Sequence, residues 1–214
     1  MEAGVPEPTW REAWGDRGFR LRAIATVPAL AGTLAALATF VKWVERRPGA
    51  ILPDPLLAVL RPRDLTWLTF GLIYAGLLGA VALLAGRPRR LVPAVQAYVL
   101  LALVRIAVMW ATPLDPPPGM IRLDDPFVQR MGGASEPLTR DLFFSGHTST
   151  LFLLALAVPG RRARAVFLAC TAAVGTCVLV QHVHYTVDVL AAPFFAFGAW
   201  RAANALWPAP RASG

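Results

Sequence analysis

The sequence predicts an all-α, polytopic membrane protein: a bundle of six transmembrane helices forming one domain. Three observations predict it. The chain is 56% hydrophobic and only 16% charged, where soluble domains carry about 25% charged residues, and its mean hydropathy is +0.52. Several charge-poor apolar stretches approach the ~20 residues needed to cross a bilayer core as helix. The breaks between them are explicit turn signals loaded with arginine.

In chain order, residues 1–20 form an N-terminal tail, polar and unlike a cleavable signal peptide. Within it, PTWREAWGDRGFRLR at 8–22 sets Trp10 and Trp14 four apart among arginines. That pattern reads either as an interfacial amphipathic helix on the inner leaflet or as a frayed tail, since Gly15 and Gly18 weaken a helix. The six-span catalytic domain covers 21–207, with spans at 21–43, 65–85, 91–111, 142–159, 165–181 and 184–205, followed by a tail at 208–214. Arg46-Arg47-Pro48-Gly49 closes the first span, Gly86-Arg87-Pro88-Arg89-Arg90 parts the second from the third, and Pro159-Gly160-Arg161-Arg162 parts the fourth from the fifth. Residues 165–200 would make a helix of ~54 Å, far beyond a ~30 Å core, so the run must turn back. Gln181–His184 is its only polar cluster and the expected turn. Trp43, Trp67, Trp110, Trp200 and Trp207 fall near span ends, as an aromatic belt would.

The net charge of +8 is spread over short loops, which reads as membrane orientation and not as a nucleic-acid surface. The loops at 87–90 and 161–164 carry three arginines each and no acid, whereas 112–141 holds Asp115, Asp124, Asp125, Glu136 and Asp141 against Arg122, Arg130 and Arg140. The positive-inside rule puts both termini in the cytoplasm and 112–141 outside, although Arg46, Arg47, Arg61 and Arg63 in the first outer loop run against it. An alanine-, arginine- and proline-rich composition points to a GC-rich bacterial source, hence to the inner membrane with the site at the periplasmic face. Cys170 and Cys177 are seven apart in one run, ~10 Å along a helix and too far to bridge.

Ionisable groups inside spans are costly, so each is a functional hypothesis. Here they are Arg105, His147, His182, His184 and Asp188, all near the outer helix ends. In HYTVD, Asp188 follows His184 by four residues and can bond one ring nitrogen, leaving the other as nucleophile or base. The alternative is a pair that neutralises itself for packing. In FFSGHT, Ser145 is an N-cap and Gly146 permits close backbone approach at a helix start, a seat for phosphate, with His147 beside it as general acid. The alternative there is an ordinary capped helix with an interfacial histidine. Arg105 either clamps a phosphodiester or snorkels to headgroups. Tyr98, seven residues earlier, either lines the same cavity or packs in the core. A metal site built on His182, His184 and Asp188 is disfavoured, because histidines two apart face different sides of a helix.

FSGHT followed by QHVHYTVDV resembles the two catalytic motifs of the sphingomyelin synthase family, a branch of the type 2 phosphatidic acid phosphatase superfamily. ILPDPL at 51–56, RIAVMWATPLDPPPGM at 105–120 and DLFFSGHT at 141–148 stand in that family's order, and the resemblance covers roughly residues 50–200. It implies that His184 attacks phosphorus to give a phosphohistidine, that Asp188 orients it, and that His147 protonates the leaving group and then deprotonates the acceptor. The substrate-binding set is Arg105, Asp141, Ser145, Gly146 and Tyr185. The sequence departs from the broad superfamily's Lys-x6-Arg-Pro and Ser-Arg motifs: Arg105 stands for the lysine, Thr112 for one arginine, and Cys177-Val178 for Ser-Arg. Within the branch, Val183 replaces an acid between the two histidines.

The function expected is transfer or hydrolysis of a phosphocholine or phosphoethanolamine headgroup, with no cofactor and no metal. The partners are a phospholipid donor, a diacylglycerol, ceramide or water acceptor, and the bilayer, with homo-oligomerisation left open and no nucleic acid. A lipid phosphate phosphatase acting on monoesters is the nearest alternative, and a non-catalytic lipid-binding membrane protein is the alternative outside enzymes. Loss of two arginines favours a diester, with its single charge, over a monoester, unless Arg122, Arg130 or Arg140 folds back over the site.

Overall fold

The computed structural model describes residues 7–125 and 138–206. Their helices are α1 (Trp10–Gly15), α2 (Arg17–Val44), α3 (Pro55–Val59), α4 (Thr66–Leu84), α5 (Pro88–Ala111), α6 (Gly146–Ala157), α7 (Arg161–Val180) and α8 (Thr186–Leu206). The all-α membrane bundle is as the composition requires. Five helices, α2, α4, α5, α7 and α8, are long and apolar enough to cross a membrane. In a bilayer interior every backbone group must be satisfied within its own segment, and helices do this. Their side chains leave a lipid-type surface: Val27, Leu78, Val81, Leu190 and Phe194 are all exposed.

The sixth expected span needs correction. The apolar run at 142–159 gives a helix of only 12 residues, Gly146–Ala157, ~18 Å long and too short to cross a ~30 Å core alone. Ser145 caps it at one end, and Pro159-Gly160, with Gly160 at φ 82°, turns the chain at the other. The first span also begins earlier than position 21, because Asp16 accepts the Gly18 and Phe19 N–H groups and caps α2 at Arg17. The remaining boundaries move by four residues or fewer.

The N-terminal segment is not frayed. Thr9 and Glu12 form a reciprocal capping box on α1, and Gly15 ends that helix. Trp10 donates its indole N–H to the Ala85 carbonyl at 2.5 Å, and Glu7 pairs with Arg87 and Arg90. The segment is therefore docked on the turn between α4 and α5.

In the core, α6 packs on α7, α8, α5 and α4, and α8 also packs on α5. Alanines Ala192, Ala196, Ala199 and Ala203 on one stripe of α8 meet Ala97, Leu101, Phe144 and Leu153, and such small residues let helices approach closely in lipid. α2 stands at the edge on α5, where Gln96 donates to Thr26 at 3.0 Å. Cys170 and Cys177 are both free thiols. Trp43, Trp67 and Trp110 are exposed at the end of the bundle that carries the histidines; Trp207 and the 208–214 tail, like Arg130 and Glu136, lie outside the described residues.

Connections at the histidine end are pinned to one another. Residue 50 pairs with residue 114 through Ala50 N–H to Pro113 and Asp115 N–H to Ala50, both 3.0 Å. Gly49 is required there, since a Cβ would stand 2.3 Å from the Leu114 backbone. Gln181 accepts from Leu65 N–H and donates to Thr66 Oγ1, and its carbonyl accepts from Ile121 N–H. The turn between α7 and α8 therefore falls at residues 181–185, where the polar cluster placed it.

Candidate active site

The site forms where the starts of α6 and α8 meet. The Ser145 N–H donates to the Asp188 carbonyl at 3.1 Å, which joins the FSGHT and HYTVD segments through the backbone. Ser145 caps α6 by accepting from Thr148 N–H and is itself fully buried. His147 stands on the first turn, with its ring edge-to-face on Phe70 of α4 at 6.1 Å. Its buried Nδ1 has no hydrogen-bond partner among the described residues.

His184 and Asp188 are paired, His184 Nδ1 to Asp188 Oδ2 at 3.3 Å, and both are buried. The pairing does not arise from a shared helix face, as the spacing alone suggested. His184 lies in the turn before α8, and Asp188 in its first turn reaches back, also accepting the Tyr185 N–H at 2.9 Å. A carboxylate near a helix start satisfies orphan N–H groups in this way. The bond at Nδ1 leaves Nε2 as the ring atom available for chemistry.

Arg105 comes from α5, six residues before its outer end, and is buried. It donates to the Phe144 carbonyl at 3.0 Å and forms a two-pronged ion pair with Asp141 at 2.8 and 3.3 Å. Gly146 accommodates this guanidinium: a Cβ at 146 would stand 2.9 Å from Arg105 Cζ. The close approach expected at Gly146 is thus taken up by Arg105. Tyr185 is buried beside the His184–Asp188 pair. Its hydroxyl donates to the Asp115 carbonyl and accepts from Leu52 N–H, so it pins the connections above the site.

His182 stays apart from the cluster. It adopts φ 56°, and its Nδ1 meets the Pro118 carbonyl at 2.9 Å. Val183 packs with Leu151, Val174 and Val178. Of the arginines that could fold over the site, Arg122 pairs with Asp124 at 3.2 Å. Arg140 pairs with Asp115 at 2.5 Å and donates to the Glu45 carbonyl, and the Asp115 carboxyl is held below its ordinary range chiefly by that Arg140 bond.

A cavity of about 540 Å³ runs from this cluster along the bundle. Arg105, Asp141, Gly146 and His147 line one end, and Leu84 and Leu91 the other, between α2, α4, α5 and α6. Tyr98 both lines it and packs against the core. Leu34, Leu77 and Val81 on its wall are also exposed on the bundle surface.

Two contacts around the site were not legible in the sequence. Asp54 accepts from Leu56 and Leu57 N–H at the start of α3, and from Thr186 N–H and Oγ1 at the start of α8. Asp followed by Pro is a legible helix-start signal, but the second helix, 132 residues on, is not. Tyr74 donates to Asp125 at 2.6 Å and stacks on Phe70, and no local pattern marks that contact.

Residues 140–205 match the family model described as PAP2 superfamily C-terminal. No curated protein matches the chain. The matched segment covers less than half of the chain but holds His147, His184 and Asp188 together, and it is similar to the lipid phosphatases and phosphotransferases of that superfamily.

Proposed function

We propose that this chain is a membrane lipid phosphotransferase of sphingomyelin-synthase type, acting on a phosphodiester headgroup donor through a phosphohistidine. The observation that carries the reading is the Ser145-to-Asp188 backbone bond, which sets His147 beside the His184–Asp188 pair. His184 Nε2 attacks phosphorus and the P–O bond to the glyceride breaks, while His147 protonates the departing alkoxide to give diacylglycerol. Asp188 bonds Nδ1–H and stabilises the positive charge that builds on the ring. In the second half, His147 takes the proton of an acceptor hydroxyl, from ceramide, diacylglycerol or water. That oxygen attacks phosphorus and the P–N bond breaks, restoring His184. Arg105 and the N–H groups opening α6 receive the non-bridging oxygens.

Arg122 and Arg140 are engaged elsewhere, which supports a singly charged diester over a monoester. The cavity supplies an apolar seat for a chain of the donor. A bacterial inner membrane with the site at the periplasmic face is the location this chemistry and the arginine-rich loops favour. The test is headgroup-resolved mass spectrometry of vesicles holding the purified protein with phosphatidylcholine, phosphatidylethanolamine or phosphatidic acid, each with and without ceramide. Diacylglycerol release from a diester, together with an acid-labile phosphoryl group lost in His184→Ala, is the expected result. Inorganic phosphate released from phosphatidic acid faster than any diester reaction would refute it.

A further inference from the structure

The cavity beside His147 changes character along its length. Leu91, Tyr98 and Arg105 line it from α5 at intervals of seven residues, two helical turns, so they share one face. From position 91 to position 105 that face rises ~21 Å and ends at the guanidinium. α2 presents Leu30, Leu34 and Leu37 to the cavity, and α4 presents Leu77, Ala80 and Val81, again one stripe each. Neither of these helices contributes a polar side chain. α2 packs on α1 and α5, whereas α4 packs chiefly on α7 and α6, so the two walls belong to different parts of the bundle. Leu34, Leu77 and Val81 are exposed at the surface as well, which leaves the cavity open sideways between α2 and α4. Both helices are long and apolar enough to cross a membrane, so the open side faces hydrocarbon. The far end is closed, where Ala80, Leu84 and Ala94 pack with Val158 and Phe167. The space is therefore a trough with a polar head, a lipid-facing side and a stop.

We infer that a hydrocarbon chain of the bound lipid enters this trough from the bilayer between α2 and α4, and that Ala80 and Ala94 set the chain length it accepts. A chain leaving the bilayer gains no hydrophobic free energy here, because lipid tails are as apolar as the leucines that replace them. Discrimination between chains must then come from packing, and a closed end supplies it: methylenes that do not fit would have to displace side chains already in contact. Alanine at 80 and 94 keeps that end open, since a larger side chain at either position would enter the space of the last carbons. The inference rests on the transfer reading above for the headgroup held at Arg105, and adds the route and the limit of the donor's chain.

The experiment uses the purified full chain in vesicles carrying a trace of phosphatidylcholine with a photoreactive diazirine on one chain, either near its carboxyl end or at its methyl end. The carboxyl-end probe should label peptides around 98–105 and 147–154, and the methyl-end probe those around 80–94. Ala94→Phe and Ala80→Phe should each reduce the methyl-end labelling. Each should also lower kcat/KM for dipalmitoyl- relative to dilauroylphosphatidylcholine by about tenfold, the scale of an overpacked site. Because each variant is read as a ratio within one preparation, a loss of folded protein does not imitate the effect. Methyl-end labelling as heavy on α7 and α8 as at 80–94, or chain-length ratios equal to wild type in both variants, would overturn the trough while leaving headgroup transfer intact. Methyl-end labelling at 80–94 that Ala94→Phe removes, with no diester cleaved, would instead keep the trough and remove the transfer reading.

Discussion

Gly146→Ala tests the link between the helix start and Arg105. The added methyl would stand 2.9 Å from Cζ, 3.1 Å from Nη1 and 3.2 Å from Nε of Arg105. The guanidinium cannot stay, yet the Phe144 carbonyl and the Asp141 carboxylate hold it from the other side. Overpacking of this kind costs about 1–3 kcal/mol, and replacing a helical glycine by alanine returns about 1 kcal/mol. Folded stability should therefore fall by no more than about 2 kcal/mol. Activity should fall further, because a charge-assisted hydrogen bond to the phosphodiester contributes about 1.5–3 kcal/mol, which corresponds to roughly 10- to 100-fold in kcat/KM. Thermal unfolding and phosphatidylcholine turnover measured on one preparation separate the two effects. A stable variant with kcat/KM within about twofold of wild type would refute the role given to Arg105.

His184→Ala should abolish turnover. Asp188→Asn should keep the fold, because an amide oxygen can still accept the Tyr185 N–H, and lower kcat by about 10³-fold or more; a near-normal rate would make the pair structural. Burial alone would raise the Asp54 pKa, but hydrogen bonds from Thr186, Leu57 and Leu56 outweigh it and hold the carboxyl below its ordinary value. Such a depressed group stabilises the fold above the unfolded carboxylate pKa and loses that contribution as pH falls through the folded value. The stability gap between wild type and Asp54→Asn should accordingly be wide near about pH 6 and narrow near about pH 3, and a gap that widens on acidification would contradict the capping role. For topology, cysteines placed singly at Leu138 and Gly86, in a chain lacking Cys170 and Cys177, should label with an impermeant maleimide in intact cells only at Leu138. Labelling at Gly86 alone would invert the orientation.

The fold was legible wherever one local rule decides a segment. Apolar runs bounded by Arg-Pro and Pro-Gly pairs give the long helices, Ser145 announces its own cap, and the polar cluster at 181–184 marks the turn before α8. The length of α6 was not legible, because residues 142–145 and 158–159 are nearly as apolar as the helix they flank. Hydropathy counts residues that are buried without being helical: Leu142, Phe144 and Val158 fill the core from outside the helix. The residues proposed to react stood out in the sequence by their types in unfavourable surroundings, a charge pair and a histidine among apolar neighbours. Their supports were not. Arg105 meets Asp141 across 36 positions, Tyr74 meets Asp125 across 51, and Asp54 meets Thr186 across 132. Such contacts are decided by which helices become neighbours, and the sequence carries no periodic trace of them.

The shortness of α6 has a chemical consequence. Its neighbours α4, α5, α7 and α8 run 19 to 24 residues, ~28–36 Å, whereas α6 rises ~18 Å. His147 stands at the start of this short helix, where it meets the start of α8, under the pinned connections at 49–57 and 112–118. On the headgroup transfer proposed above, a phosphodiester would react beside the apolar cavity that opens at His147. The fate of a headgroup held on His184 would then be set by which hydroxyl can reach it. A hydroxyl tethered to a hydrocarbon chain would arrive along the same apolar route by which the glyceride left, so the proposed reaction is expected to exchange headgroups between lipids faster than it loses them to solvent.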